Sequence, residues 1–148
     1  MTAEPAFVGA KIALIGDGRV LTHLRDDIPD LPFAGCWDFP GGGREGRESA
    51  ADCALRELHE EYGLILPQER LTWRRDYPSH HVPGGRAVFF GGRIHPEEIA
   101  RIVFGDEGQY WEMMAIPAFL GHARAVPYLR MRLADFLAEA AWSVPGLR

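Results

Sequence analysis

The sequence predicts a layered α/β (α+β) fold in a single domain. Its length of 148 residues is that of one ordinary domain. Short apolar and β-branched runs, which are typical of strands, alternate with two longer segments of helical character, and this alternation favours helices packed on a sheet. Hydrophobic residues make up 47% of the chain and charged residues 25%, which is the balance of a globular protein. We therefore expect one domain over residues 1–148.

Charge and apolar run length exclude several classes of function. The chain has 16 basic and 21 acidic residues, for a net charge of -5. Proteins that bind nucleic-acid polymers mainly through phosphate contacts are basic, so this class is not favoured. The longest apolar runs are too short to span a bilayer, and residues 1–5 contain an acid and a proline where a signal peptide would be basic and then apolar. We expect a cytoplasmic protein that binds neither a membrane nor a nucleic-acid polymer.

The first third of the chain is typical of strands. Residues 8–15 and 20–25 are apolar runs separated by a glycine-containing turn, which predicts a strand pair. Residues 26–36 contain two prolines and a glycine and predict a loop. Residues 37–39 predict a short strand, and we expect the following Pro-Gly-Gly-Gly run, 40–43, to continue neither helix nor strand.

The clearest helix follows this glycine run. Ser49 is a plausible N-cap, with Asp52 three residues later as a weaker form of the capping box. The helix should continue to Tyr62 and end at Gly63, because glycine readily adopts the left-handed conformation at a helix C-terminus.

The second half predicts three strands and two helices. Residues 71–77, 86–94 and 109–115 have strand character, and 96–102 predicts a short helix. Pro127 stands where helices tolerate proline best, and we expect it to begin a last helix that continues to Ala141.

Three glutamates fall on one face of the helix that begins after Ser49. With about 100° of rotation per residue, Glu57, Glu60 and Glu61 lie roughly opposite the apolar stripe. Like charges three and four residues apart destabilise a helix, and Arg56 balances only part of this charge. A divalent cation such as Mg²⁺ would relieve the repulsion, because it prefers carboxylate oxygens. A solvated acidic face is the alternative.

The glycine run before the helix can bring backbone close to a ligand. Gly41, Gly42 and Gly43 have no side chains, so a phosphate could approach their main chain. Considered alone, such a run is more often a simple turn.

Together these residues form a recognisable motif. Gly42, Glu48, Arg56-Glu57-Leu58, Glu60-Glu61 and Gly63-Leu64 match the pattern G-x5-E-x7-R-E-U-x-E-E-x-G-U at every specified position, U being aliphatic. This pattern is the Nudix box, so the chain resembles the Nudix hydrolase family. The Trp37-Asp38-Phe39 lead-in and the two N-terminal strands are also similar, so the resemblance extends beyond the box.

The resemblance implies a fold, a cofactor and a reaction. The fold would be an α/β/α sandwich with a mixed β-sheet between helices. The cofactor would be Mg²⁺ or Mn²⁺, bound on the diphosphate of a small-molecule nucleotide. The reaction would be pyrophosphohydrolysis of a nucleoside diphosphate linked to another moiety, most simply a nucleoside triphosphate. The residues implied are the metal ligands Glu57, Glu60 and Glu61, the orienting Arg56 with Glu48 as its partner, and the loop glycines Gly41, Gly42 and Gly43.

Several alternatives remain open from the sequence. The general base could be Glu57 or Glu60, or Glu107 in a later loop; Asp106 is an equal claimant, and an ordinary polar turn describes that loop equally well. The chain could instead hydrolyse ADP-ribose or a dinucleoside polyphosphate, or be a non-catalytic nucleotide-binding or regulatory module. A homodimer is also consistent with the resemblance.

Residues outside the box carry weaker signals. His80 and His81 could contact phosphate, but their proline- and glycine-rich surroundings favour a surface loop. The last helix has apolar residues at core spacing, and we expect Tyr128, Arg130 and Arg132, on its other sides, to be solvated.

Overall fold

A mixed β-sheet between helices forms the centre of the computed structural model, which describes residues 4–140. Within that range the sheet has seven strands. The elements are β1 (Gly9–Gly16), β2 (Arg19–Leu24), β3 (Trp37–Asp38), β4 (Gly41–Gly43), α1 (Ala50–Tyr62), a 3₁₀ turn (Gln68–Arg70), β5 (Leu71–Pro78), β6 (Arg86–Arg93), α2 (Pro96–Ile99), β7 (Tyr110–Ala115), α3 (Ile116–Leu120) and α4 (Pro127–Glu139). Among residues 4–140, the helices lack the length and the apolar character needed to span a bilayer.

The sheet combines one parallel pair with several antiparallel pairs. Its main order is β3-β2-β1-β6-β5, with β4 paired to β1 and β7 paired to β2. The parallel pair is β1 with β6, in register from Gly9 opposite Ala87 to Ile15 opposite Arg93. The other strand pairs are antiparallel.

Each face of the sheet has its own apolar core. Alternate residues of β1 and β6 point to opposite faces, so Ile12 and Phe90 pack against α1 in one cluster. Ala13 and Phe89 belong to the other cluster, with α3 and α4. The α/β/α sandwich predicted from the resemblance is therefore confirmed.

Strand β1 changes its antiparallel partner along its length, and this opens a gap in the sheet. At its C-terminal end Ile15 and Gly16 pair with β2, whereas Gly9 to Lys11 pair with β4. Just before β4, Pro40 O accepts a hydrogen bond from Ile12 N of β1 at 2.9 Å, which extends the pairing of the two strands by one residue. The cleft described below lies where β2 and β4 separate.

The prediction that residues 40–43 continue no regular structure is wrong, because Gly41–Gly43 form β4. The reason is steric: a Cβ on Gly41 would lie 2.2 Å from the carbonyl oxygen of Ala10, and one on Gly9 would lie 2.6 Å from the carbonyl oxygen of Gly42. The glycines thus permit an unusually close strand pairing, which local turn signals do not reveal.

Most of the other predicted elements are present, with different ends. Ser49 caps α1 by accepting a hydrogen bond from Asp52 N at 3.1 Å, and Gly63 ends it with φ of 68°. Helix α2 ends at Ile99, earlier than predicted, and the short α3 was not predicted. The predicted end of α4 at Ala141 lies outside the described residues.

Candidate functional site

A cleft of about 450 Å³ opens beside β1 and β4. One of its walls is formed by α1 and the glycine strand, and another by α4 and the loop between β5 and β6. Its lining includes Glu57, Glu61 and all three glycines of β4, together with Tyr128 and Arg132 on the α4 side. The cleft therefore reaches from the helix on one face of the sheet to the helix on the other.

The three glutamates of α1 do not all point the same way. Glu57 and Glu61, one helical turn apart, turn inward towards β4, and Glu61 Oε1 accepts a hydrogen bond from Gly41 N at 2.9 Å. Glu60 is exposed. The expectation of one acidic face opposite the buried stripe is only partly correct, because Ala50 and Ala54 also bury that side of α1.

The carboxylate of Glu57 occupies the space that a side chain at Gly42 would need. A Cβ at this position would lie 2.6 Å from Glu57 Cδ. A Cβ on the neighbouring Gly43 would meet only Val8 O, at an ordinary contact distance of 3.9 Å, and the Gly43 carbonyl accepts a hydrogen bond from Arg56 Nη2 at 3.0 Å. The glycine strand thus packs directly against the carboxylates and arginine of α1, and its polar main-chain groups help to hold them.

Arg56 organises the acidic residues around it. Its Nε and Nη2 donate side-on to the carboxylate of Glu48 at 3.0 and 2.9 Å, and Nη1 reaches Glu57 at 3.0 Å and Glu60 at 3.1 Å. The hydrogen bonds from Arg56 hold the pKa of Glu48 at about 2. Glu48 is therefore ionised and fixes the guanidinium, which can then orient the two other carboxylates.

Burial works against ionisation of the inward-facing pair. Burial raises the pKa of Glu61 to about 8, although Lys11 and the Gly41 N–H oppose this shift. Burial also raises the pKa of Glu57. Both carboxylates thus lie in an environment where an added positive charge would stabilise the ionised form.

A second acidic segment lies against α1. Gly105 N donates to the carbonyl of Glu61 at 2.9 Å, and this docks the loop before β7 on the last turn of the helix. Asp106 and Glu107 consequently line a hollow of about 220 Å³ together with the three α1 glutamates, Glu57, Glu60 and Glu61. The structure therefore brings the later-loop acids and the glutamates of the motif together.

The donor set of this hollow suits a hard divalent cation. Every ionisable side chain that lines it is a carboxylate, and Mg²⁺ and Mn²⁺ prefer oxygen ligands. In the arrangement of residues 4–140, no three acidic, histidine or cysteine side chains form a complete ligand group. Two of the carboxylates, Glu57 and Glu60, are instead hydrogen-bonded to Arg56. Mg²⁺ usually keeps several waters and substrate oxygens among its ligands, so it needs few protein ligands.

Two partly buried cations around the buried carboxylate of Asp38 form a basic network at the floor of the cleft beside Glu61. Lys11 Nζ lies 2.9 Å from Asp38 Oδ1, and Arg25 Nη1 lies 2.9 Å from Asp38 Oδ2. Burial alone would raise the pKa of Asp38, but Lys11 and the neighbouring cationic side chains lower it to about 2. The single carboxylate of Asp38 thus pairs with both Lys11 and Arg25, so the three side chains together carry a net positive charge next to the cleft.

Comparison with known families identifies the relationship. The NUDIX domain model matches residues 7–130. The chain belongs to the NUDIX domain family. In this NUDIX domain the matched region includes both walls of the carboxylate hollow, the basic network and the first residues of α4.

Individual relatives are similar over parts of their length. An 8-oxo-dGTP diphosphatase of Proteus vulgaris is 42% identical over 52 residues, 34% of this chain and 46% of that protein. An RNA pyrophosphohydrolase of Dinoroseobacter shibae is 36% identical over 110 residues, 72% of this chain and 57% of that protein. The chain therefore spans about half the length of these relatives. The crystal structure of the MutT protein from Methanosarcina mazei Go1 shares the fold, with a TM-score of 0.72 at 20% identity over 96% of this chain and 100% of that one.

The α4 side of this NUDIX domain corrects one expectation from the sequence. Tyr128 and Arg132 are buried, at 7% and 4% exposure, and line the cleft instead of being solvated. His80 and His81 are exposed loop residues, as predicted, and also line the cleft. His80 stacks on Tyr128 with ring centroids 4.3 Å apart, so this wall is largely aromatic.

Sequence reasoning missed Lys11, Arg25 and Asp38. A signal was available for one of them: Lys11 is the only lysine in the sequence and interrupts an otherwise apolar strand. A charged residue in such a strand must find a partner when it is buried. Nothing local to Arg25 or Asp38 indicates that they supply this partner and its second cation.

Proposed function

We propose that this NUDIX domain is a divalent-metal-dependent pyrophosphohydrolase that cleaves a nucleoside diphosphate linked to another moiety, most simply a nucleoside triphosphate. The convergence of Glu57, Glu61, Asp106 and Glu107 on one hollow at the end of the cleft carries this proposal. The names of the relatives, a diphosphatase and a pyrophosphohydrolase, support the same reaction class.

Glu57, Glu60 and Glu61 would hold Mg²⁺ or Mn²⁺ in this scheme. When bound there, the metal would neutralise the diphosphate and lower the pKa of a coordinated water. Arg56 keeps Glu57 and Glu60 at the mouth of the hollow, and the glycine strand leaves room for phosphate. Glu107, which lines the same hollow with Asp106 beside it, would accept the proton of the attacking water.

The rest of the cleft would bind the nucleoside. Its volume of about 450 Å³ lies within the range of small-molecule sites. Phe33 and Tyr128 offer apolar ring surface, and the charge of Lys11 and Arg25, only partly balanced by Asp38, would attract phosphates. We propose that the chain acts as one domain on this small-molecule substrate; a homodimer and a cytoplasmic location remain predictions.

The deciding experiment is a substrate panel. Purified protein with Mg²⁺ or Mn²⁺ is given nucleoside triphosphates, ADP-ribose, a dinucleoside polyphosphate and RNA with a 5′-triphosphate, which the relative named RNA pyrophosphohydrolase brings into the panel. We expect release of pyrophosphate from a triphosphate, lost on chelation and in Glu57→Gln. Binding of nucleotides without any turnover, equal for wild type and Glu57→Gln, would instead support a non-catalytic module.

A further inference from the structure

Arg132 is a buried cation whose hydrogen-bonding capacity is largely unused. Its Nη2 donates to the carbonyl of Pro78 at 3.2 Å, and its buried Nε has no hydrogen-bond partner in the described structure. Burial lowers the pKa of Arg132. Tyr77 and Tyr128, which flank its guanidinium, are neutral phenols and supply no counter-charge, because burial raises the pKa of each above its ordinary value. Since arginine stays charged in proteins, the cleft wall holds a positive charge that forms no ion pair with a carboxylate of residues 4–140.

Two tyrosines fix the position of this guanidinium. Its central carbon lies 4.6 Å from the ring centroid of Tyr77 and 4.5 Å from that of Tyr128. Tyr77 is itself held, because its hydroxyl donates to Asp135 Oδ2 at 2.8 Å, and His80 stacks on Tyr128. Aromatic rings thus cover the guanidinium group, and of its two terminal nitrogens Nη1 makes no hydrogen bond within the described residues and is left to donate into the cleft that Arg132 lines.

The missing partner of Arg132 is best supplied by an anion. Cation–π contacts with the tyrosines stabilise the charge in part, but a buried cation is unfavourable without a counter-charge. The other two cations of the cleft, Lys11 and Arg25, share Asp38. Arg132 is therefore the cleft cation most in need of an anion from a ligand.

The position of Arg132 separates it from the carboxylate hollow. It belongs to α4, which packs on one face of the sheet, whereas Glu57 and Glu61 belong to α1 on the other. Both ends line the same cleft. A ligand whose diphosphate lies at the carboxylates can therefore present a different part of itself to Arg132.

We propose that Arg132, backed by Tyr77 and Tyr128, binds a second phosphate group, carried on the nucleoside side of the substrate away from the diphosphate that is cleaved. This phosphate could be a monoester on the sugar or the diester that joins the next nucleotide. The proposal rests on the proposed function only for the placement of the diphosphate at the carboxylate end.

Binding without metal tests the second phosphate independently of catalysis. Titration calorimetry compares adenosine 3′,5′-bisphosphate with adenosine 5′-monophosphate on wild type, Arg132→Met and Arg130→Met. We expect the second phosphate to tighten binding to wild type about tenfold, the size of one charge-assisted hydrogen bond. The gain should vanish in Arg132→Met and persist in Arg130→Met, whose side chain lies on the same helix but does not line the cleft.

Hydrolysis then distinguishes the two sources of phosphate. Adenosine 5′-triphosphate is compared with its 3′-phosphorylated derivative and with a 5′-triphosphorylated dinucleotide, and the ratio of kcat/KM to that of the plain triphosphate is measured. A ratio of about ten for one derivative, lost in Arg132→Met and partly restored in Arg132→Lys, identifies the monoester or the diester as the ligand. A calorimetric gain without hydrolysis of any compound would contradict the proposed function and leave this site standing.

The proposal is wrong if wild type binds the bisphosphate and the monophosphate equally tightly. It is also wrong if Arg132→Met and Arg130→Met keep the same gain. Because the wild-type comparison alone can overturn it, the test does not depend on the folding of a variant.

Discussion

Replacing Gly42 by alanine tests whether the position of the Glu57 carboxylate governs turnover. A Cβ on Gly42 would lie 2.6 Å from Glu57 Cδ and 2.8 Å from each of its oxygens. The φ of Gly42 is not positive, so alanine suits the backbone. The obstacle is the end of one flexible side chain, and Glu57 must therefore move.

The size of the effect follows from that movement. An ordinary contact of about 3.5 Å requires the carboxylate to retreat by roughly 1 Å, which breaks its 3.0 Å hydrogen bond with Arg56 Nη1. Arg56 keeps its bonds to Glu48, so the free energy of unfolding should fall by only about 1 kcal/mol. A misplacement of about 1 Å at a catalytic group can cost about a hundredfold in rate, and we expect kcat to fall by that factor.

The assay measures release of pyrophosphate from the best triphosphate of the panel, beside a thermal melt. Gly43→Ala is the matched control, because its nearest non-neighbouring atom, Val8 O, would lie 3.9 Å from the new Cβ and its φ is also not positive. It should keep a kcat close to that of wild type, and any loss should appear as a higher KM, because Gly43 lines the cleft but a Cβ on it does not meet Glu57. In a Glu57→Gln background, Gly42→Ala should add little further loss, since both changes act through the same side chain.

Two results would refute this reasoning. One is a Gly42→Ala protein whose kcat stays within about threefold of wild type. The other is an equal loss in Gly42→Ala and Gly43→Ala, because a Cβ on Gly43 meets only Val8 O, at 3.9 Å, and cannot displace Glu57. Either result would mean that Glu57 is not held in a catalytically sensitive position by the glycine strand.

Three further predictions concern other carboxylates. Glu61→Gln should lower kcat at least about a hundredfold. It should also raise the free energy of unfolding of the metal-free protein near pH 9 by on the order of 2 kcal/mol, because burial raises the pKa of Glu61 to about 8 and its charge is unfavourable above that pH. The control Glu60→Gln, at an exposed position, should change stability by less than about 0.5 kcal/mol, and urea melts in which Glu61→Gln is less stable than wild type would contradict the prediction. Glu107→Gln should lower kcat about a hundredfold with little change in KM; near-normal kcat would place the base on α1. The hydrogen bond from Arg70 holds the pKa of Glu98 at about 2, below its ordinary 4.5. The ionised Glu98 therefore stabilises the fold above pH 4.5, and this stabilisation is lost as the pH falls towards 2. The free energy of unfolding of wild type should exceed that of Glu98→Gln by roughly 2 kcal/mol at pH 7, and a difference that persists at pH 2 would disprove the pairing.

Helix α1 could be predicted from sequence because its signals are local. Ser49 and Gly63 cap it through bonds and dihedral angles that involve only neighbouring residues, and the motif specifies the glutamates on it. The direction of Glu57 and Glu61 was less predictable, because a helical wheel does not show that α1 is covered on a second side by β1 and β4. That coverage depends on strands far away in the sequence.

The remaining features depend on distant partners. Strand β4 exists because Gly9 and Gly41 let two backbones approach closely, and no local pattern distinguishes such a strand from a turn. Arg132 carries a charge that predicts solvent exposure, yet Tyr77 of β5 and Tyr128 of its own helix enclose it. Prediction from local sequence therefore fails for the conformation or burial of residues whose surroundings are formed by distant parts of the chain.

The partner change of β1 explains why charges of opposite sign occur in one cleft. Because β1 pairs with β4 at one end and with β2 at the other, the sheet opens beside Lys11, and side chains from both faces can reach the opening. The carboxylates come from α1 on one face, and the guanidinium of Arg132 comes from α4 on the other. Lys11 lies on the strand between them and pairs with Asp38. The carboxylates at one end of the cleft and the guanidinium at the other therefore remain separate charges that do not neutralise each other. A substrate that carries a metal-bound diphosphate and a separate anion fits this polarity better than one with a single anionic end.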